Sequence, residues 1–299
     1  MTTTRPLTGW RYVLSPQLLI MCIIGVVMAC VWWQLAHTLR DNPQFLVWDD
    51  QKVTFLRDVT DLRAPYTTIP GFVNPPWTLL ILAPLKVIPQ DTAIFLQIVA
   101  YFVLIAMLIR KFGGGVFCAL IVFTAPLAPD AVINLNIDWI IVLGLLIPRA
   151  WSAPFLLTKP QNALGYVLSF DLRTLVYWSM GAGIVVLFSF AIWGWWIPDW
   201  LTKLDVSPVT WLINLAPRAL IGDVPAIVLG SLLALVSLWR RDPILGIFSG
   251  LFFVPYIASY SLLMPFALLA VRSKIIAFTA SVSIWVLVII VVLRFFAVA

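Results

Sequence analysis

The sequence contains no glutamate, because all 13 acidic residues are aspartates, and it has only one histidine, His37. A lone histidine excludes a multi-histidine metal site. The three cysteines lie inside apolar stretches with the spacing of neither a zinc site nor a disulfide framework. The glycines at 113–115 lack the lysine that follows a phosphate-binding loop. We therefore expect no metal and no other cofactor.

Charged residues are also scarce: they make up 11% of the 299 residues, whereas hydrophobic residues make up 62%. A soluble domain has about a quarter charged residues. Long uncharged runs predict membrane-spanning helices, since about 20 apolar residues cross the hydrocarbon and lipid leaves backbone polar groups no other partners. We predict an all-α, polytopic transmembrane helix bundle, a single integral-membrane domain over residues 1–299 with about eight to eleven hydrophobic segments. The uncharged runs are Tyr12–Leu39, Ala64–Leu85, Thr92–Ile109, Phe112–Pro129, Thr174–Pro198, Pro243–Val271 and Ile275–Leu293.

The 15 tryptophans and the formal charge of +6 fit the same class of protein. Tryptophan is enriched at membrane interfaces, and basic residues collect in loops that face anionic lipid or the cytoplasm. We therefore expect membrane lipids, and not nucleic acid, to be the partners of the basic residues.

Residues 40–75 form the longest polar segment and contain five of the 13 aspartates. Candidate catalytic carboxylates are therefore most numerous in this segment. We predict that this exposed loop carries short surface helices between Gln44 and Leu62. An apolar helix from Pro76 to Val87 follows, too short to cross a membrane.

Two adjacent carboxylates in this loop, Asp49 and Asp50, are candidate catalytic groups. Like-charge repulsion raises the pKa of one member of such a pair, and a carboxylate within reach of a hydroxyl can act as a general base. The alternative is that both are solvated loop residues.

Two further polar stretches interrupt apolar segments, KPQ at 159–161 and INLNID at 133–138. A lysine at membrane depth is costly unless its side chain reaches the interface or meets an anion such as a lipid phosphate. The second stretch is also explained by a turn followed by a helix that starts at Asp138.

Several motifs follow one another along the chain. Asp49-Asp50 precedes LRAPY at 62–66, and a short apolar helix opens with NPPW at 74–77. Later come APL at 83–85, IP at 88–89, the proline-containing stretch 125–138, KPQ at 159–161, RRD at 240–242 and VPYIASY at 254–260.

In order and spacing these motifs resemble glycosyltransferase family 87 of the GT-C superfamily, the polyprenyl-phosphate-mannose-dependent mannosyltransferases. The resemblance covers most of residues 15–272. Ser259 stands where the family has the histidine of a late His-Tyr pair, and the chain is shorter than that family leads one to expect.

The resemblance implies a GT-C-like bundle whose site lies at the outer membrane face beneath the surface helices of the first loop. Asp50 or Asp49 would be the general base, with Asp50 favoured because it heads the loop, and direct attack by the acceptor would invert the anomeric carbon. Cations near the leaving lipid phosphate would stabilise its charge. The implied phosphate-binding residues are Lys159, Arg57, Lys52 and Arg63, and the implied substrate-binding residues are Asn134, Asn136, Asp138, Gln161, Tyr66, Ser259 and Tyr260.

The implied activity is transfer of a sugar such as mannose from a polyprenyl-phosphate donor to a lipid or glycan acceptor, in the plasma membrane of a prokaryote. A transporter or flippase for a lipid or small solute is an alternative, because broken helices with intramembrane polar groups also mark transporters. A non-catalytic subunit of a membrane complex is another, because of the missing histidine and the short chain.

Overall fold

The structure is a computed structural model, and it describes residues 15–42, 45–56, 63–204 and 214–298. Throughout these ranges the regular structure is helical and contains no strand, which confirms the predicted all-α class. The α-helices are α1 (Pro16–Arg40), α2 (Pro65–Thr68), α3 (Thr78–Leu82), α4 (Gln90–Lys111), α5 (Val116–Thr124), α6 (Leu127–Ile133), α7 (Asp138–Leu146), α8 (Ala153–Leu156), α9 (Leu172–Trp193), α10 (Ile197–Leu204), α11 (Pro217–Ile221), α12 (Asp223–Arg240), α13 (Pro243–Leu251), α14 (Leu263–Arg272) and α15 (Lys274–Val298). A π-helix spans Asp50–Phe55, and 3₁₀ turns span Ala83–Val87, Arg149–Trp151, Pro160–Asn162, Leu164–Ser169 and Ser259–Leu262.

Within the described ranges, four helices are long and apolar enough to cross a membrane: α1, α4, α9 and α12. Helices α5 and α6 meet at a bend of 59° and would form a fifth span if they cross as one unit. Shorter apolar helices span Thr78–Val87, Ser259–Arg272 and the Lys274–Ile290 part of α15. The chain therefore has the helices of a membrane protein.

Two of these helices leave most of their apolar surface uncovered. Only 11% of the spanning window of α9 and 17% of that of α12 is buried within the protein. On α9, for example, Ile184 is 64% and Leu187 is 68% exposed. Apolar surface of this extent is stable in lipid and unfavourable in water.

Three helices begin at polar caps that the sequence supplies. The side chain of Ser15 accepts a hydrogen bond from the Leu18 amide at the start of α1. Asp171 accepts one from the Thr174 amide at the start of α9. Asp242 accepts two at the start of α13, where Pro243 occupies the first helical position.

The predicted apolar run Pro243–Val271 is not one helix. It is divided into α13 and α14 by a non-helical segment, 252–258, and a 3₁₀ turn. Pro255 lies in this break, where its missing N–H and fixed φ oppose a continuous helix. The break brings the turn Ser259–Leu262 against α6 in the interior of the protein.

The short proline-opened helix is present as predicted, since α3 continues as a 3₁₀ turn to Val87. Ahead of it, the first loop contains the π-helix and α2, and residues 57–62 lie outside the described ranges. The loop is held on α10 by an aromatic cluster around Trp196 and by the Trp200 indole, which donates to the Val73 carbonyl at 2.7 Å.

Candidate functional site

Trp48 anchors the chain immediately before the two adjacent aspartates. Its backbone is left-handed, with φ of 58°, which is uncommon for a bulky residue. Its amide donates to the Ile133 carbonyl at 2.8 Å and its indole to the Val132 carbonyl at 2.9 Å. The fully buried ring stacks on Trp33 with centroids 4.5 Å apart. These contacts stabilise the strained backbone conformation of Trp48, and strain of this kind is often found at functional sites.

A buried chain of hydrogen bonds fixes the π-helix that follows. The Gln51 amide donates to the Leu135 carbonyl at 3.3 Å and accepts from Gln97 of α4 at 3.0 Å. The Trp139 indole of α7 donates to Gln97 at 3.0 Å. Because these groups are all satisfied, they orient the start of the loop against two helices.

Asp50 consequently faces inward, whereas Asp49 is exposed. The Asn136 side chain donates to Oδ2 of Asp50 at 2.6 Å. The same amide accepts a hydrogen bond from the Ile137 N–H at 2.8 Å, which fixes its orientation. The inward carboxylate is therefore held in a defined position.

Burial raises the pKa of Asp50 above its ordinary value. The Lys159 charge and the hydrogen bond from Asn136 oppose this effect, while the negative charges of Asp49 and Asp138 add to it. A carboxylate whose pKa is raised by desolvation is a stronger base than one in water.

Lys159 forms a buried ion pair and does not extend to an interface. Its Nζ donates to Asp138 Oδ2 at 3.0 Å, to Ser261 Oγ at 2.9 Å and to Asn136 Oδ1 at 3.4 Å. The Lys159 residue is 8% exposed and Asp138 is 3% exposed. The other oxygen of Asp138 accepts from Asn162. An ammonium group has three protons, so Lys159 has a partner for each.

Two tyrosines complete this side of the site. The Tyr260 hydroxyl lies 3.5 Å from the Asn136 amide, and Lys159 Nζ lies 5.1 Å from the Tyr260 ring centroid. Burial and the charge of Asp50 raise the pKa of Tyr256. The polar cluster is defined here as Asp50, Asn136, Asp138, Lys159, Asn162, Tyr260 and Ser261.

A second carboxylate, Asp130 of α6, adjoins the polar cluster. Its Oδ1 accepts from the Asn134 amide at 2.8 Å, and the Ser259 side chain lies beside it. Asp130 and Asp50 both act electrostatically on Tyr260. The structure thus brings together seven predicted site residues: Asp50, Asn134, Asn136, Asp138, Lys159, Ser259 and Tyr260.

Of the other predicted cations, Lys52 has its contacts outside this cluster. Lys52 donates to the Val47 carbonyl at 3.1 Å and lies over the Trp48 ring. Arg63 has an exposed side chain, and Arg57 lies outside the described residues.

Two predicted substrate-binding residues also lie apart from the cluster. The Tyr66 hydroxyl donates to the Asn74 carbonyl at 3.0 Å, and its ring packs in the aromatic cluster with Trp196. Gln161 is exposed. Neither side chain is among the groups that form the polar cluster.

Sequence reasoning missed four residues at or beside the cluster: Asp130, Asn162, Tyr256 and Ser261. Two of them directly follow motifs on which the family resemblance is based: Asn162 follows KPQ at 159–161, and Ser261 follows VPYIASY at 254–260. Asp130 is the only charged residue between Lys111 and Asp138, an isolation that would have marked it as a candidate.

An open groove of about 470 Å³ lies between α1 and α4, on the far side of Trp33 from Trp48. Residues of both helices line it: Cys30, Trp33, Gln34, Asp91, Thr92 and Phe95. The groove therefore adjoins the anchor of the first loop.

No three histidine, cysteine, aspartate or glutamate side chains converge as metal ligands in the described part of the chain. What the polar cluster offers chemically is one inward carboxylate of raised pKa, a buried ion pair and several hydroxyl and amide groups. Comparison with protein families, curated proteins and solved structures finds no match to this chain.

Proposed function

We propose that this protein is a membrane glycosyltransferase with a polytopic GT-C-like bundle. It would move a sugar from a polyprenyl-phosphate donor to a hydroxyl of a lipid or glycan acceptor. The observation that supports this best is the Asp50 carboxylate, which Asn136 holds at 2.6 Å and whose pKa is raised by burial. A fixed carboxylate of this kind suits the role of general base.

In the proposed reaction the acceptor hydroxyl oxygen attacks the anomeric carbon from the face opposite the phosphate. The bond from the anomeric carbon to the phosphate oxygen breaks, and its electron pair leaves on the polyprenyl phosphate. Asp50 takes the proton of the acceptor hydroxyl. One direct displacement inverts the configuration at the anomeric carbon.

The surroundings of Lys159 refine the expected role of this residue. Its three protons are engaged by Asp138, Ser261 and Asn136, so contact with a phosphate would require one of these bonds to be exchanged. Lys159 is better suited to orient Asn136, which in turn holds Asp50. Lys52 has one hydrogen-bond partner and a partly exposed side chain, and is the better phosphate-binding candidate of the two.

The proposal is tested by reconstituting the full chain in nanodiscs with polyprenyl-phosphate [¹⁴C]mannose and membrane lipid acceptors. Asp50→Asn keeps the shape of the side chain but cannot accept a proton, and we expect it to lose at least about 10²-fold in transfer rate. Asp49→Asn changes the exposed neighbour and serves as the matched control, with most activity kept. Full transfer by Asp50→Asn would contradict the assignment of the base.

A transporter or flippase is the second candidate. The buried Asp138–Lys159 pair between broken helices favours it, because intramembrane ion pairs mark substrate and proton pathways. In liposomes a transporter would move a labelled lipid between leaflets without changing it chemically. A transferase would convert the acceptor instead.

A further inference from the structure

Two polar atoms beside the polar cluster are buried and have no partner with hydrogen-bond geometry among the described residues: Oδ2 of Asp130 and the hydroxyl of Tyr256. The other oxygen of Asp130 accepts a hydrogen bond from Asn134, and the Ser259 side chain lies beside the carboxylate. Buried polar atoms are nearly always paired, so each of these two requires an explanation.

The two atoms border the same part of the site. Asp130 lies on α6, which packs against the 3₁₀ turn Ser259–Leu262, and Tyr256 lies in the non-helical segment just before that turn. Both residues act electrostatically on Tyr260, and Asp50 acts on Tyr256. The unpaired atoms therefore lie close to the carboxylate proposed as the base.

A ligand can reach both side chains. Asp130 and Tyr256 are partly exposed as residues, although the two unpaired atoms are covered. Part of each residue is therefore accessible to a ligand.

The chemistry of the two atoms selects a neutral hydroxyl group. A carboxylate oxygen accepts a hydrogen bond, and a phenol can donate one, so ligand hydroxyl groups, which both donate and accept, suit these two atoms. Three aspartates, Asp50, Asp130 and Asp138, act electrostatically on Tyr260, and Lys159 is already paired with Asp138. This negative charge disfavours an anion at the unpaired atoms. A sugar ring presents such hydroxyls, and a phosphate does not.

We propose that Asp130 and Tyr256 form a hydroxyl-binding subsite that holds the sugar ring of the lipid-linked donor. This inference rests on the proposed function and names the part of the donor that each residue contacts. The unpaired atoms gain their partners only when the sugar is bound.

The test compares binding of three lipids to the full chain in nanodiscs: polyprenyl phosphates that carry mannose, glucose or no sugar. We expect Asp130→Asn and Tyr256→Phe each to weaken binding of a sugar-bearing lipid by about tenfold or more, as expected for loss of a hydrogen bond to a buried group. Binding of the sugar-free phosphate should be unchanged. Tyr177→Phe on α9, whose side chain is 49% exposed, is the matched control and should bind all three lipids like the wild type.

Thermal unfolding separates a binding role from a structural one. Neither atom has a hydrogen-bond partner among the described residues, so both variants should unfold at the wild-type temperature or above it. A variant that unfolds early, or that weakens binding of all three lipids alike, would contradict the subsite.

The outcomes also separate this inference from the function on which it rests. If the wild type prefers a sugar-bearing lipid and Asp50→Asn abolishes transfer, but Asp130→Asn and Tyr256→Phe bind normally, the subsite is wrong and the proposed function stands. If the wild type binds none of the three lipids, both are overturned.

Discussion

At the scale of single residues, the site depends on the unusual backbone of Trp48. The left-handed turn there directs two neighbouring aspartates to opposite environments, with Asp49 exposed and Asp50 inward. In the sequence the two carboxylates are adjacent and belong to the same polar segment, and Asp50 is favoured only because it heads the loop. In the structure they are distinguished by the hydrogen bonds of Trp48 to the end of α6 and by the bond from Asn136 to Asp50.

The raised pKa of Asp50 leads to a prediction about stability. The pKa of Asp50 is higher in the folded protein than in the unfolded chain, so the protonated carboxyl group stabilises the folded state at low pH. This stabilisation is lost as the pH rises through the pKa of the folded state. Asp50→Asn remains neutral at every pH, so it should unfold at the wild-type temperature or above it at pH 7. The difference should shrink below about pH 4, where the unfolded group is also protonated. Thermal unfolding in detergent as a function of pH measures this.

The raised pKa of Asp50 also predicts how the transfer rate depends on pH. The acid limb of the transfer rate should lie above about pH 4, the ordinary value for an aspartate, because Asp50 must be ionised to accept a proton. The stability prediction has its own contrary outcome. If Asp50→Asn were less stable than the wild type at pH 7 while Asp49→Asn kept the wild-type stability, the burial of the Asp50 carboxylate would be contradicted.

At the scale of elements, the site is assembled from chain breaks between helices. The turn after α6, the segment around Lys159 and the break between α13 and α14 each supply one part of the polar cluster. Broken helices leave backbone groups without partners in the same helix, and in a membrane these must be satisfied by other groups. The polar side chains at the breaks are therefore buried in protein, away from lipid.

The 3₁₀ turn Leu164–Ser169 shows how closely these elements pack. A Cβ atom on Gly165 would lie 1.9 Å from the carbonyl oxygen of Gly246 in α13, which is far inside contact distance. Gly165→Ala should therefore force the two elements apart and destabilise the protein by about 3 kcal/mol or more. Gly183→Ala in α9 meets no atom within 4 Å and is the matched control. Thermal unfolding of the two variants in the same detergent tests this, and equal unfolding temperatures would contradict the close approach.

At the scale of the whole molecule, the sequence predicted the helical membrane class and the short helix from Pro76 to Val87. Composition and run length carry that information, because lipid permits few other structures. The division of Pro243–Val271 agrees with the position of Pro255, which opposes a continuous helix, but the 29 uncharged residues do not show where the two helices end and begin.

The candidate site was predicted in part for the same physical reason. Polar residues within apolar segments are costly in lipid, so Asn136, Asp138 and Lys159 could be singled out by their type and position in the sequence. Their partners could not, because Ser261 lies 102 residues from Lys159 and the pairing depends on how the helices pack. The hydroxyl of Tyr66 donates to the Asn74 carbonyl and does not join the polar cluster, and the motif alone does not show which way this hydroxyl faces.

The exposed apolar surface of α9 leads to a prediction about the membrane. Ile184 is 64% exposed and lies near the middle of this 22-residue helix, whereas Leu172 is 77% exposed at its first residue. An arginine at the centre of a lipid-facing helix costs about 2.5–3.5 kcal/mol, but one at the end extends its charge to the interface. Ile184→Arg should therefore reduce the membrane-integrated fraction in alkaline extraction, and Leu172→Arg should not. Because both positions are exposed to a similar degree, equal extraction of the two variants would mean that α9 faces water along its length.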